Sequence, residues 1–356
     1  MKKSLVKEKW ADGKVATCAI LHLTDGAYAE FAAAQPCIDC VWYDLEHGPI
    51  SLERAADLFR SVRLQGKDVM ARPGKGEFMR MGRMLEQGAN GIMYPRCENA
   101  ADAREFVRWA KFAPLGERGF AGDNAEAGYG TTDVDAYVTA ANAETFLAPM
   151  IESPTALANA REIAETEGVD MLFFGPGDYS VLSGIRGPLD APEILAAMEK
   201  ACVAARAAGK HFGSLAITDE QMRRLTDMGA DFLMCYSDMA AIADSFTALA
   251  KKLARQLGGL VVAGSWVIGW SNRECDTPVA SRRTGDAPRR GRIGKDAPRR
   301  GRIGRVAPRR DRFGKAELAF ATGSFGDNPS AHAHAGMEMR ITFNHLTTQP
   351  PNYSTT

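Results

Sequence analysis

Eight short runs rich in Val, Ile, Phe and Met recur through residues 1–258, at 15–23, 37–45, 68–72, 91–95, 145–152, 171–175, 211–216 and 231–236. Runs of this length without polar alternation suit strands buried on both faces, which parallel sheets have and most antiparallel sheets lack. Between them, residues 52–64, 77–86, 100–109, 155–165, 192–207, 219–227 and 240–257 carry apolar residues at helical spacing, which predicts helices with one covered face. Gly66, Gly88, Gly168, Gly209 and Gly229 stand where such a helix must turn back into a strand. Eight βα units in 258 residues predict an α/β fold of the (β/α)8 TIM-barrel type. A doubly wound open sheet shares the alternation. Against it, Thr24-Asp25-Gly26-Ala27-Tyr28 after the first run holds no GxGxxG turn, and no GxxxxGK[ST] loop occurs anywhere.

The pattern stops near residue 258, and the charge changes with it. The chain balances 44 Lys and Arg against 44 Asp and Glu, yet residues 259–356 hold 16 and 8 of these, leaving 28 and 36 for residues 1–258. An acidic barrel domain, 1–258, is therefore expected to precede a basic segment, 259–356. That segment repeats DAPRRGRIG at 286–294 and 296–304 and VAPRRDRFG at 306–314. Arg, Gly and Pro without large apolar residues cannot bury enough surface to offset the entropy of ordering, so it reads as a disordered extension. Nucleic-acid binding through its Arg residues is the functional alternative, with only Phe313 to stack on a base among residues 282–314. A translated repeat from a shifted frame or missed stop is the other source of such a segment.

Cys37 and Cys40 make one CxxC among seven Cys with no second pair, so they read as small buried residues flanking a strand rather than a zinc or redox element. No run of about 18 apolar residues occurs, and the first residues, MKKSLVKEKWADGK, are polar. Neither a membrane span nor a secretory signal is expected, and the cytoplasm is the expected location.

In a barrel of this class, chemistry is built at the carboxyl ends of the strands. Those positions offer Asp44 and His47 after the second run, Arg72 at the third, Glu152 at the fifth, and Gly177 and Asp178 after the sixth. Two carboxylates on neighbouring strand ends suit a hard divalent ion such as Mg²⁺ or Mn²⁺; the alternative is that Glu152 and Asp178 cap helices. His47, three residues after Asp44, could exchange protons, with the carboxylate fixing its tautomer. Arg72 could grip a carboxylate with two parallel hydrogen bonds. His22 and His211 fall on strand bodies and read as buried or paired, and Lys67, Lys75 and Lys210 as solvated turns. Together the set describes metal-assisted chemistry on a 2-oxo acid, with neither a Ser/His triad nor an evident Schiff-base Lys.

The strings DLEHGPIS (44–51), ARPGKGE (71–77), GANGIMYPRCENAADAREFV (88–107), KFAPLGERGF (111–120), PMIESPTALAN (149–159) and EGVDMLFFGPGDYSVLSG (167–184) resemble the HpcH/HpaI family of class II, metal-dependent pyruvate aldolases. The resemblance runs through residues 15–257. It implies cleavage of a 4-hydroxy-2-oxo acid to pyruvate and an aldehyde, or the reverse addition. It further implies Glu152 and Asp178 as ligands of Mg²⁺ or Mn²⁺, with Co²⁺ a further option. Arg72 is then the group at the pyruvate carbonyl or enolate, His47 the acid/base oriented by Asp44, and the backbone NH groups of Gly177 and Asp178 the anchors of the substrate carboxylate. It also implies a homo-oligomer, commonly a hexamer, with the last helix, 239–257, exchanged between neighbours. Met150 stands where the family commonly has Gln, Gly177 where Ala is common, and 121–130 lacks an Arg-containing string. These departures bear on the aldehyde partner. Acyl-CoA lyase and oxaloacetate decarboxylase activities are the alternatives within the same superfamily.

Overall fold

The computed structural model describes residues 2–256. Eight strands, β1 (Ala16–Ile20), β2 (Cys40–Asp44), β3 (Asp68–Arg72), β4 (Gly91–Tyr94), β5 (Phe146–Ile151), β6 (Met171–Phe174), β7 (His211–Leu215) and β8 (Phe232–Ser237), pair in chain order and close into a parallel barrel. The expected (β/α)8 architecture is therefore present. Closure is made by β8 against β1, from Ala16↔Phe232 to Ile20↔Ser237, across one irregularity between Cys18 and Ala19. The expected boundary at 258 and the basic segment 259–356 lie outside the described residues.

Alternation along each strand sorts side chains into two layers. Cys18, Ile20, Cys40, Trp42, Met70, Met93, Phe146, Ala148, Met150, Phe173, Phe232 and Met234 fill the lumen. Their neighbours, among them Ala19, Leu21, Val41, Tyr43, Val69, Ile92, Leu147 and Phe174, face the helices. Gly91 has no side chain for a packing reason: a Cβ there would stand 2.2 Å from the Phe146 ring. The five helix-ending glycines all have positive φ, from 67° to 112°.

Helices α1 (Leu5–Ala11), α2 (Gly26–Ala33), α3 (Leu52–Leu64), α4 (Phe78–Glu86), α5 (Ala100–Ala110), α6 (Val134–Glu144), α7 (Pro154–Ala158), α8 (Ala160–Glu165), α9 (Pro176–Leu182), α10 (Pro192–Ala207), α11 (Asp219–Asp227) and α12 (Asp238–Gln256) follow in chain order. Where spacing predicts one helix over 155–165, the chain breaks at Asn159 into α7 and α8. Asp25, Ser51, Asn99 and Ser153 each cap a helix by accepting a first-turn NH.

The polar N-terminal stretch forms α1, which plugs the amino end of the barrel. Trp10 stacks on His211 at 4.1 Å between ring centroids and meets Phe146 edge-on at 5.7 Å. Carboxylates at strand starts hold the plug: Asp68 accepts from Ser4 Oγ (2.6 Å) and Val6 N (2.9 Å), Asp39 from Lys9 (2.7 Å) and Asp170 from Lys7 (2.8 Å). With its amino end sealed, the barrel opens at the carboxyl end. No helix among the described residues is long and apolar enough to cross a membrane.

Candidate active site

The lumen positions that follow the packed core are Asp44 on β2, Arg72 on β3, Glu152 just past β5 and Gly175 just past β6. Register places them side by side: Asp44 pairs with Arg72 across β2 and β3, and Gly175 N donates to Ile151 O at 3.1 Å, carrying the β5–β6 ladder to its end.

Arg72 and Asp44 form a two-point pair, Nε to Oδ1 at 2.8 Å and Nη2 to Oδ2 at 2.5 Å, and both residues are buried. Arg72 also stacks on the Trp42 ring (5.0 Å), donates to Met150 Sδ (3.5 Å) and stands 3.3 Å from Glu46 Oε2. Met150 thus occupies a guanidinium edge. Burial alone would lift the Asp44 carboxyl and depress the Arg72 guanidinium; their mutual hydrogen bonds and charges outweigh it, so Asp44 lies below the usual carboxylate range and Arg72 above its usual value.

Glu152 is the opposite case. Its Oε1 accepts the Arg96 NH at 2.6 Å, a bond made by a backbone with φ of 52°, while Oε2 is buried without a hydrogen-bond partner. Burial pushes the Glu152 carboxyl up to about 7, the Arg96 NH opposing and the Asp178 charge adding to the effect. Asp178 lies in the first turn of α9, whose N-cap residue is Gly175, without a side chain to cap it, and Ser153, not Glu152, caps α7. The helix-capping alternative for Glu152 and Asp178 is therefore excluded. Among the described residues no group of three or more His, Cys, Asp or Glu side chains could hold a metal; Glu152 and Asp178 constitute a two-carboxylate set. An unpartnered buried carboxylate oxygen beside a second carboxylate fits a divalent cation completed by water or substrate oxygens.

His47 sits in the turn after β2, its side chain 65% exposed and its Nε2 3.7 Å from Glu46 Oε2. Asp44 meets it only at the backbone, Oδ1 accepting the His47 NH at 3.4 Å. The expected contact between the Asp44 carboxylate and the His47 ring is not formed, because the two-point pair with Arg72 takes both carboxylate oxygens. Gly177 and Asp178 place their NH groups in the first turn of α9, where no helical carbonyl precedes them.

Two further features lie at this end of the barrel. Glu46, raised by burial above the usual carboxylate range, stands within reach of Arg72 and His47. His22, expected on a strand body, stands two residues past β1 with Nδ1 2.8 Å from Asp238 Oδ1. The expected pairing of His211 is present too, with Asp231 at 2.7 Å, at the sealed end.

A closed parallel barrel with an Arg–Asp pair and two acidic side chains at its open carboxyl end is an enzyme scaffold. The sequence profile of the HpcH/HpaI aldolase/citrate lyase family matches residues 24–244. The 2-dehydro-3,6-dideoxy-6-sulfogluconate aldolase of Pseudomonas putida is 35% identical over 202 residues, 57% of this chain and 78% of its own length. The 4-hydroxy-2-oxo-heptane-1,7-dioate aldolase of Shigella flexneri is 30% identical over 226 residues, 64% of this chain and 84% of its own. Among solved structures, the HpcH/HpaI aldolase of Desulfitobacterium hafniense superposes with a TM-score of 0.67 at 28% identity, covering 70% of this chain and 97% of its own. The chain belongs to the HpcH/HpaI aldolase/citrate lyase family, and is an enzyme of the lyase class.

Proposed function

We propose that the protein is a metal-dependent aldolase that cleaves a 4-hydroxy-2-oxo acid to pyruvate and an aldehyde, or runs the reverse addition. The observation that carries the proposal is the unpartnered, buried Glu152 Oε2 beside Asp178 at the open end of the barrel. Glu152 and Asp178 would hold the divalent ion, Mg²⁺ or Mn²⁺. Bound there, it supplies Lewis acidity to the 2-oxo group.

The chain's own residues do the rest. The NH groups of Gly177 and Asp178 receive the substrate carboxylate. Arg72, fixed by Asp44 and Trp42, presents a permanent positive charge where negative charge develops on the enolate oxygen; such prepositioned charge needs no reorganisation during the reaction. His47, with Glu46 beside it, serves as acid/base on the pyruvate half, exchanging a proton with enolate C3. Met150 leaves an apolar wall next to Arg72, so the aldehyde half meets fewer polar groups on that side.

The same proposal includes a homo-oligomer with α12 exchanged between neighbours. In α12 only Asp238 is buried, while Met239, Phe246 and Leu249 are exposed; sedimentation of the full chain tests this. A cytoplasmic location is supported by the six described cysteines, all free thiols, of which Cys40 is buried as expected and Cys37, against expectation, is exposed. To test the activity, pyruvate, Mg²⁺ or Mn²⁺ and a panel of short aldehydes are incubated with the protein. Metal-dependent aldol products, lost with EDTA, are expected; no product with any aldehyde contradicts the proposal.

A further inference from the structure

Strand register brings one more side chain to the level of the Arg72–Asp44 pair. Ile20 pairs with Trp42, and Leu21 still donates its NH to the Trp42 carbonyl at 3.1 Å. One residue further on, His22 comes level with Asp44. Cys18 and Ile20 face the lumen, whereas Ala19 and Leu21 face the helices. Continued alternation puts His22 on the lumen side, in the layer of Asp44, Arg72 and Glu152.

Its imidazole is held in one orientation. Asp238, fully buried at the start of α12, accepts the His22 ring at Oδ1 (2.8 Å), the NH groups of His22 and Leu23 at Oδ2 (2.8 Å each) and the Met239 NH at Oδ1 (2.7 Å). Burial alone would raise this carboxyl, but those hydrogen bonds outweigh it and hold it below the usual range. An ionised carboxylate only accepts, so Nδ1 carries the proton. In the neutral ring, Nε2 is then a free lone pair on a side chain 43% exposed. His47, by contrast, has no carboxylate within hydrogen-bond distance of its ring, Glu46 standing at 3.7 Å.

We propose that His22, oriented by Asp238, is a second acid/base residue of the site, acting on the hydroxyl of the aldehyde half; the inference rests on the aldolase reading. In cleavage, Nε2 takes the C4 hydroxyl proton as the oxygen's electron pair forms the aldehyde carbonyl and the C3–C4 pair passes into the pyruvate enolate. The ring becomes an imidazolium opposite the Asp238 charge. Loss of that proton to solvent, while enolate C3 takes one by way of His47 or water, restores the neutral ring and yields pyruvate with no net proton consumed.

The test compares His22→Asn and His22→Ala with the parent protein in the presence of Mg²⁺. Asn retains an NH donor for Asp238 but has nothing at the Nε2 position, so a merely structural His22 is rescued by Asn. Expected is a loss of about 100-fold or more in aldol kcat for both variants, with KM changed little. Exchange of pyruvate methyl protons with D₂O, which involves no hydroxyl, should fall at least tenfold less than aldol turnover. Melting temperatures within a few degrees of the parent verify folding; should His22→Ala melt early, His22→Asn carries the comparison. Aldol kcat of His22→Asn within about twofold of the parent overturns the proposal, as does an equal loss of exchange and aldol turnover. If the parent itself shows neither exchange nor aldol products, the aldolase reading falls and takes the proposal with it.

Discussion

Replacing Gly175 by Ala probes how tightly Glu152 is positioned. Gly175 has φ −97° and ψ 88°, away from the left-handed region, so the effect of Ala lies in its contacts. A Cβ there would stand 2.9 Å from Glu152 Oε2, 3.0 Å from Glu152 Cβ and 3.0 Å from Met150 Cε. Carbon atoms rest at about 3.5–4.0 Å, so roughly 0.5 Å or more must be made up. The Met150 methyl can swing away, but Glu152 Cβ is tied to the end of β5, and the carboxylate has to turn. Overpacking of this kind costs about 1–3 kcal/mol, a fall in Tm of roughly 2–10 °C for a domain this size. If Oε2 is a metal ligand, Mn²⁺ affinity should also fall by about 10–100-fold, the usual cost of disturbing a ligand's support. Calorimetric titration with Mn²⁺, alongside a thermal scan, reads both quantities. A lower Tm with undiminished Mn²⁺ affinity excludes Oε2 as a metal ligand, since it would have moved without consequence for the ion.

Arg72→Met leaves Asp44 buried and unpaired, which should cost about 3–5 kcal/mol and abolish pyruvate exchange. Adding Asp44→Asn should recover much of the stability in urea melts but none of the exchange; recovery of both would make the pair purely structural. At the sealed end, burial would raise Asp231, but hydrogen bonds from His211 and the Phe212 NH, with the nearby charges, hold it below its ordinary 3.8. A depressed carboxyl stabilises the fold above the unfolded value and loses that contribution as pH falls through the folded one. Parent and Asp231→Asn should therefore differ most in urea melts at pH 5–7 and converge below pH 4; a constant gap contradicts the assignment.

The eight strands were legible because both faces of each are buried, which writes an unbroken apolar run. Helices α3, α4, α5, α10, α11 and α12 were legible from one-sided spacing. The α2 segment, GAYAEFAA, has a single charged residue and so shows no polar face, and α1 buries only Val6 and Trp10 between charged residues. The acidic rim residues could be named from strand ends alone. Their partners could not: Asp44 sits three residues from His47 in sequence, but 28 from Arg72, whose planar fork takes both its oxygens. The His22–Asp238 contact spans 216 residues and exists only because β8 closes on β1. Charge helped in one respect. The 44-to-44 balance divides into an acidic stretch and a basic one, and the described barrel belongs to the acidic stretch.

Exchange of the pyruvate methyl protons for deuterium, followed by NMR in D₂O with and without Mg²⁺ or Mn²⁺, tests the metal-dependent pyruvate chemistry without knowledge of the aldehyde, because enolisation involves the pyruvate half alone. Exchange should require the divalent ion, disappear with EDTA, and be lost in Glu152→Gln at matched metal concentration while that variant remains folded. Exchange that proceeds equally without metal, or equally in Glu152→Gln, would contradict that chemistry.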